Sequence, residues 1–129
     1  MTEHPNAATA RRSYEAWNIG GLDVLREGFA EDVVFHFAGN NAMSGTYRGR
    51  DAVMAALGRA SQGLDPHGGL EAVLASDDHV MAFFHSTAER DGKTLDVVLA
   101  FSIKVNAEGK LTEAWSLAND QRAFDQFWS

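Results

Sequence analysis

Residues 96–121, DVVLAFSIKVNAEGKLTEAWSLANDQ, carry the clearest fold signal in this chain. They contain two runs of alternating residues that are typical of β-strands, joined at a glycine-containing turn over residues 106–109. The second run ends at Asp120, a residue type that favours the N-cap of an α-helix. The stretch therefore predicts a β-hairpin followed by a short C-terminal helix carrying Phe124 and Trp128.

The chain shows helical patterns first and strand patterns after, which indicates an α+β class. The first helical pattern, which places Ala7, Ala10, Tyr14 and Trp17 on one face, stops at Gly20-Gly21. A short second helix is predicted with Leu22, Leu25 and Phe29 inward, and a third over residues 51–60, burying Val53, Met54 and Leu57. Strands are predicted over residues 33–37, 45–49, 70–75, 80–89, 94–105 and 110–118, with a loop over 62–69.

The composition limits the possible classes of function. A chain of 129 residues is long enough for a single domain, predicted over residues 1–129. A net charge of -7 without a Lys/Arg run disfavours nucleic acid and membrane partners. No cysteine is present, so disulfides, thiolate catalysis and Cys-based zinc sites are excluded. Because residues 1–12 lack the apolar core of a signal peptide, a cytoplasmic protein is expected.

Two turns set the expected register of the sheet. The pair Asp91-Gly92 is a strong signal for a two-residue hairpin, which would place Phe84 opposite Leu99. A bulged loop in the second hairpin would pair Asn106 with Lys110, and hence Phe101 with Trp115 and Leu99 with Leu117. The strands then have a bulky face and a flatter apolar face. The bulky face holds Phe84, Val97, Leu99, Phe101, Ile103, Glu113, Trp115 and Leu117, and the flatter face holds Met81, Phe83, His85, Val98, Ala100, Ala114 and Ala118.

A second apolar face needs a cover, since an antiparallel sheet usually turns a polar face to water. We expect the bulky face to meet the helices around a pocket and the flatter face to form a homodimer interface. The alternative is that the C-terminal helix or a loop covers the flatter face.

Four segments carry a resemblance to a known family: residues 17–41 (WNIGGLDVLREGFAEDVVFHFAGNN), 45–53 (GTYRGRDAV), 107–117 (AEGKLTEAWSL) and 119–128 (NDQRAFDQFW). Together they resemble the SnoaL-like branch of the nuclear transport factor 2-like, or ketosteroid isomerase-like, superfamily. The resemblance implies a cone-like fold, in which a curved, mainly antiparallel sheet and N-terminal helices surround an apolar pocket. Superfamily members include isomerases, cyclases, hydrolases, dehydratases and non-catalytic binding domains, so the fold does not specify a reaction.

Ketosteroid isomerase itself uses a tyrosine and a protonated aspartate as an oxyanion hole, with a second aspartate as the base. In an ungapped alignment these three roles fall at Ser13, Phe101 and Phe37 respectively. Two phenylalanines in place of two carboxylates make the site apolar. The chain is therefore not expected to be a ketosteroid isomerase.

Glu113 is the candidate catalytic residue, because its expected place opposite Ile103 would surround a carboxylate with apolar neighbours and suit it to general acid–base work. The alternative is a solvated carboxylate near the rim of the sheet. His36 is expected to turn away from the pocket, and His85 to lie at the interface. The five histidines are not spaced like metal ligands, so no metal site is expected. The expected substrate-binding residues are Tyr14, Trp17, Phe35, Phe37, Asn40, Tyr47, Met54, Phe84, Leu99, Phe101 and Trp115.

The sequence thus predicts a pocket protein for a small hydrophobic molecule. The favoured class is a cofactor-free isomerase, cyclase or hydratase acting on a polycyclic or terpenoid-like substrate. A binding protein without chemistry and a dimerisation module with a filled pocket are the alternatives.

Overall fold

The computed structural model describes residues 3–18, 22–61 and 69–129. The elements, in chain order, are α1 (Pro5–Asn18), α2 (Leu22–Glu27), β1 (Phe29–Phe37), β2 (Gly45–Arg48), α3 (Arg50–Ser61), β3 (Leu70–Ala75), β4 (His79–Arg90), β5 (Lys93–Val105), β6 (Leu111–Ala118) and α4 (Gln121–Phe127). The predicted stop at Gly20-Gly21 and all but the last residue of the loop predicted over 62–69 lie outside the described residues.

The six strands form one curved sheet in the order β2-β1-β6-β5-β4-β3. Strands β3 to β6 follow the predicted antiparallel meander, and β1 joins β6 in the sheet's parallel pairing. Helix α1 packs on β3 and β4, α3 on β1 and β2, and α4 on β5 and β6. The prediction of an α+β cone, with a mainly antiparallel sheet and a short C-terminal helix, is confirmed.

The inner face of the sheet builds the core, because side chains alternate along each strand. In β1, Val33, Phe35 and Phe37 are buried, while His36 turns outward as predicted. Phe29 was expected on helix α2 but begins β1 and is 3% exposed. Helix α2 ends at Glu27, and Gly28 makes the turn into the strand, so Phe29 reaches the same core from a strand.

The first hairpin has the predicted register, with Phe84 opposite Leu99 and His85 opposite Val98. The second hairpin begins as predicted, since the Asn106 amide donates to the Lys110 carbonyl at 2.9 Å and Val105 pairs with Leu111. A β-bulge follows at once.

Beyond the bulge Lys104 pairs with Glu113, so Thr112 is an extra residue in β6, and its hydroxyl donates to the Lys104 carbonyl at 3.3 Å. One inserted residue sends every later side chain of the strand to the other face. Phe101 therefore lies opposite Ser116, and the predicted pairing with Trp115 is wrong.

Because of the bulge, both faces of the sheet differ from the predicted ones. Ala114 and Ala118, expected on the flatter outer face, are buried in the core. Glu113, Trp115 and Leu117, expected inside, lie on the outer face of the sheet. The expected place of Glu113 opposite Ile103 is therefore wrong, because its neighbour across the ladder is Lys104.

Helix α4 is held by its N-cap and by a polar network. Asp120 accepts a hydrogen bond from the Ala123 amide at 3.1 Å, as the sequence predicted. Asp125 Oδ1 accepts hydrogen bonds from the amides of Asn41, at 2.7 Å, and Gln121, at 3.0 Å. The hydrogen bonds from Gln121 and Asn41 lower the pKa of the Asp125 carboxyl. The network ties the loop after β1 to the end of the chain.

Each helix within residues 3–18, 22–61 and 69–129 is too short or too polar to cross a membrane.

Candidate functional site

A cavity of about 110 Å³ lies between α1 and the inner face of the sheet. One wall is aromatic. Side chains alternate along a strand, and those that point inward are the odd-numbered residues of β1 and β5 and the even-numbered residues of β4. This aromatic wall consists of Phe29, Phe35, Phe84 and Phe101. Aliphatic side chains from α2, α3 and the strands, Leu25, Leu57, Val80, Ala82, Ile103, Val105 and Leu111, close the remaining sides.

The opposite wall is a stripe along α1 formed by Asn6, Thr9, Ala10, Ser13 and Tyr14. Residues three and four apart lie on one helix face, so these spacings bring all five side chains to the same side of the cavity. Small side chains in this stripe leave room where a leucine would fill it. The α1 stripe therefore adds polar atoms to an otherwise apolar space.

The rings in the wall are ordered by contact with one another. Tyr14 stacks on Phe84 with ring centroids 4.9 Å apart, and Phe84 meets Phe101 edge-on at 5.1 Å. Phe29 and Phe35 are tilted together at 5.5 Å. Such packing prepares an aromatic surface before any ligand arrives.

Four of the expected substrate-binding residues line the cavity: Tyr14, Phe35, Phe84 and Phe101. Phe37 and Leu99 are buried in the core beyond its lining, and Tyr47 and Met54 are half-buried against that core. Asn40 is exposed in the loop after β1, and the side chain of Trp17 lies outside the described residues.

Two expected site residues, Trp115 and Glu113, lie on the opposite side of the sheet from the cavity, because of the bulge at Thr112. There the Glu113 carboxylate lies 2.6 Å from His36 Nε2, and His36 Nδ1 lies 3.0 Å from the Thr46 hydroxyl. The His36 ring stacks on Trp115 at 5.3 Å, and the Lys104 ammonium lies 5.6 Å above the same indole. Glu113 is therefore bound into a polar cluster on the outer face.

A second polar pair, His85 with Asp96, lies on this outer face, where the alternation predicted His85. His85 Nε2 is 2.5 Å from Asp96 Oδ1. The hydrogen bond to Asp96 raises the pKa of the His85 imidazole. The predicted position of His85 on this face is confirmed, whereas the pairing of His36 with Glu113 was not predicted.

The polar part of the α1 stripe was missed as a group. Asn6, Thr9 and Ser13 stand at spacings of three and four beside Ala10 and Tyr14, which the sequence analysis had placed inward. That spacing was the available signal. It was overlooked because small polar residues on a helix are more often solvated than directed at a cavity.

Comparison with known proteins agrees with this architecture. The SnoaL-like domain family matches residues 10–114. An uncharacterized protein of Mycobacterium tuberculosis (strain H37Rv) is 34% identical over the full length of both chains. Bal32a, a solved structure from a soil-derived mobile gene cassette, is 34% identical to this chain; the match covers 96% of each chain, with a TM-score of 0.88.

A more distant structure, TerC co-crystallised with polyporic acid, is 18% identical, covers 96% of this chain and 98% of its own, and has a TM-score of 0.80. At this identity the likeness shows the fold alone. The fold, the length of the family match and the full-length relative together show that the chain belongs to the SnoaL-like family.

Proposed function

We propose that this protein binds a small, mainly apolar molecule in the cavity between α1 and the inner face of the sheet. The observation that carries the proposal is the cavity's construction, with an aromatic wall opposite a short polar stripe. Binding sites for small molecules commonly combine apolar walls with a few placed polar groups. TerC, which shares this fold, was co-crystallised with polyporic acid, so the fold can hold a small organic molecule.

The size of the cavity favours a smaller ligand than the polycyclic substrate expected from the family resemblance. A cavity of about 110 Å³ is of the order of one that holds benzene, roughly 150 Å³, and well below the 300–1,000 Å³ of sites for drug-sized ligands. A single ring therefore fits best.

An isomerase, cyclase or hydratase reaction is the second candidate function. It is favoured by Tyr14, the ionisable side chain among the lining residues that the structure describes. General acid–base work in the cavity would fall to its phenol, since Glu113 lies on the other side of the sheet. Binding ranks first because it needs only the cavity.

Filling the cavity tests the proposal. Ala10→Leu extends a side chain from the α1 stripe into the space, and leucine suits a helix. We expect toluene to shift backbone amide NMR signals of the cavity walls in the wild type, and the variant to bind it at least ~10-fold more weakly while remaining folded.

Glu15→Leu is the matched control, because Glu15 is exposed on the same helix and is not part of the lining. This variant should bind toluene like the wild type. Equal toluene binding by the Ala10→Leu protein would contradict a ligand site in this cavity.

We further propose that the outer face of the sheet joins a second copy of the chain. Met81, Phe83, Val98, Ala100 and Trp115 form a half-buried, largely apolar surface there. Two exposed leucines extend this surface: Leu74, which is 66% exposed, and Leu117, which is 50% exposed. Exposed apolar surface of this kind marks an interface.

Area and charge favour a copy of the same chain. Four central strands spaced at about 4.8 Å and rising about 3.3 Å per residue present a face on the order of 600 Å², close to the roughly 800 Å² per partner of stable interfaces. Lys104 and Glu113 are neighbours on this face, and a twofold axis passing between them would set each side chain near the opposite charge of the second copy.

Ala100→Arg tests the dimer, since Ala100 is half-buried at the centre of the outer face. An arginine there would place an unpaired charge in the interface, so we expect sedimentation to show a dimeric wild type and a monomeric variant. Ala107→Arg, in the exposed turn after β5, should stay dimeric. A dimeric Ala100→Arg protein would remove this face from consideration.

A further inference from the structure

The hydroxyl group of Ser13 in the α1 stripe donates its hydrogen bond within the helix. Ser13 Oγ donates to the Thr9 carbonyl one helical turn back, at 3.1 Å. No donor to Ser13 Oγ is found among the described residues, so the lone pairs of its oxygen are available. Ser13 therefore offers the cavity a hydrogen-bond acceptor.

The neighbouring polar groups of the stripe have the same character. Thr9 Oγ1 donates to the Pro5 carbonyl at 3.0 Å and accepts from Arg12 Nη2 at 3.0 Å. The Asn6 amide nitrogen donates to the carbonyls of Ser76, at 2.9 Å, and Asp77, at 3.2 Å. Because the side-chain NH2 group of Asn6 donates to these two carbonyls, its side-chain oxygen is the group that can face a ligand.

The charge of the cavity walls points to a neutral ligand. Its lining holds no Lys, Arg, His, Asp or Glu within the part of the chain that the structure describes. An ion would lose its hydration without gaining a partner of opposite charge, and a carboxylate would also face acceptor oxygens. A neutral ring that donates one hydrogen bond meets neither penalty.

We infer that the cavity selects an uncharged single-ring aromatic molecule carrying a hydroxyl group, whose proton is donated to Ser13 Oγ while the ring packs among Phe84, Phe101 and Tyr14. This inference rests on the proposed function and names its ligand class. The backbone favours the same place for the hydroxyl: Gly28 faces Ser13, and a Cβ built on Gly28 would lie 3.8 Å from Ser13 Oγ. A glycine here leaves the acceptor uncovered.

The test compares four rings by NMR titration: p-cresol, 4-methylanisole, toluene and 4-toluate. 4-Methylanisole differs from p-cresol by one methyl group on the oxygen, so only p-cresol can donate a hydrogen bond. We expect p-cresol to bind about 3–10-fold more tightly than 4-methylanisole, the factor that one net hydrogen bond supplies. 4-Toluate should bind most weakly.

Ser13→Ala assigns the selectivity to one atom. The variant removes the acceptor and keeps the helix, since alanine is the strongest helix former. We expect its affinity for p-cresol to fall about 3–10-fold, to that for 4-methylanisole, with toluene binding retained. Ser102→Ala, on the outer face, is the matched control and should leave all four affinities unchanged.

Gly28→Ala is a second test of access to Ser13 Oγ, and it removes no polar group. Its added methyl would lie 3.4 Å from the Leu25 carbonyl oxygen, an ordinary contact, so the fold should tolerate it. The methyl covers the approach to Ser13, and p-cresol should lose more affinity than toluene.

The possible outcomes separate this inference from the proposed function. Equal binding of p-cresol and 4-methylanisole, or a Ser13→Ala protein that keeps its preference for p-cresol, overturns the donor selection and leaves the cavity as a binding site. Tightest binding of 4-toluate overturns the requirement for a neutral ligand. Failure of all four rings to bind overturns the inference and the proposed function together.

Discussion

Replacing Phe101 by alanine should lower the free energy of unfolding by ~3–5 kcal/mol, the range for loss of a buried phenylalanine. Phe101 is 8% exposed, meets Phe84 edge-on and forms part of the cavity wall. The space left by its ring would join the existing cavity, which the neighbouring strands cannot close without moving the sheet. Urea denaturation followed by circular dichroism measures the change.

Val24→Ala is the control for this measurement. Val24 is 56% exposed on helix α2, away from the outer face of the sheet, so its truncation should change stability by no more than about 0.5 kcal/mol. A Phe101→Ala protein as stable as the Val24→Ala protein would show that the ring is not part of the core.

Replacing Gly39 by alanine should be the second costly change. Gly39 has φ of +93°, a conformation that L side chains rarely adopt, and strain of this kind costs about 1–3 kcal/mol. A Cβ there would also collide with Asp125 Oδ1 and Gln121 Nε2. Both side chains would have to move, so we expect a total loss of about 2–4 kcal/mol, including about 1 kcal/mol for each hydrogen bond broken.

Gly92→Ala separates the two causes. Gly92 also has a positive φ, +76°, but nothing lies within 4 Å of a Cβ built there. This variant should show the backbone strain alone, and denaturation curves should place it between the wild type and the Gly39→Ala protein. Equal losses in the two variants would mean that the Asp125 network contributes nothing to stability.

The order and type of the elements could be predicted from the sequence because the signals are local. Asp120 is an N-cap in the structure, and Asp91-Gly92 forms the hairpin turn that pairs Phe84 with Leu99. Turn residues and side-chain alternation act over a few positions, where the chain specifies its own geometry. The α+β class followed from the sum of such signals.

The face of β6 could not be predicted in this way. The loop of the second hairpin was right, but the bulge at Thr112 reversed every later residue, including Glu113 and Trp115. A bulge depends on what packs against both sides of the strand, and here the parallel partner β1 shares β6 with β5. The sequence shows no turn residue at Thr112 to announce it.

The candidate site divides in the same manner. Alternation in the strands identified Phe35, Phe84 and Phe101 from the sequence, and helical spacing identified Tyr14, because one face of each element must be buried. The acceptor character of Ser13 became visible only in the structure, through its bond to Thr9 and its place opposite Gly28. The order and type of the elements and the inward faces of β1, β4 and β5 followed from the sequence alone, since those properties are local. Tertiary structure alone decided which polar atoms meet the cavity and which carboxylate stays outside it, because both depend on register between segments distant in the chain.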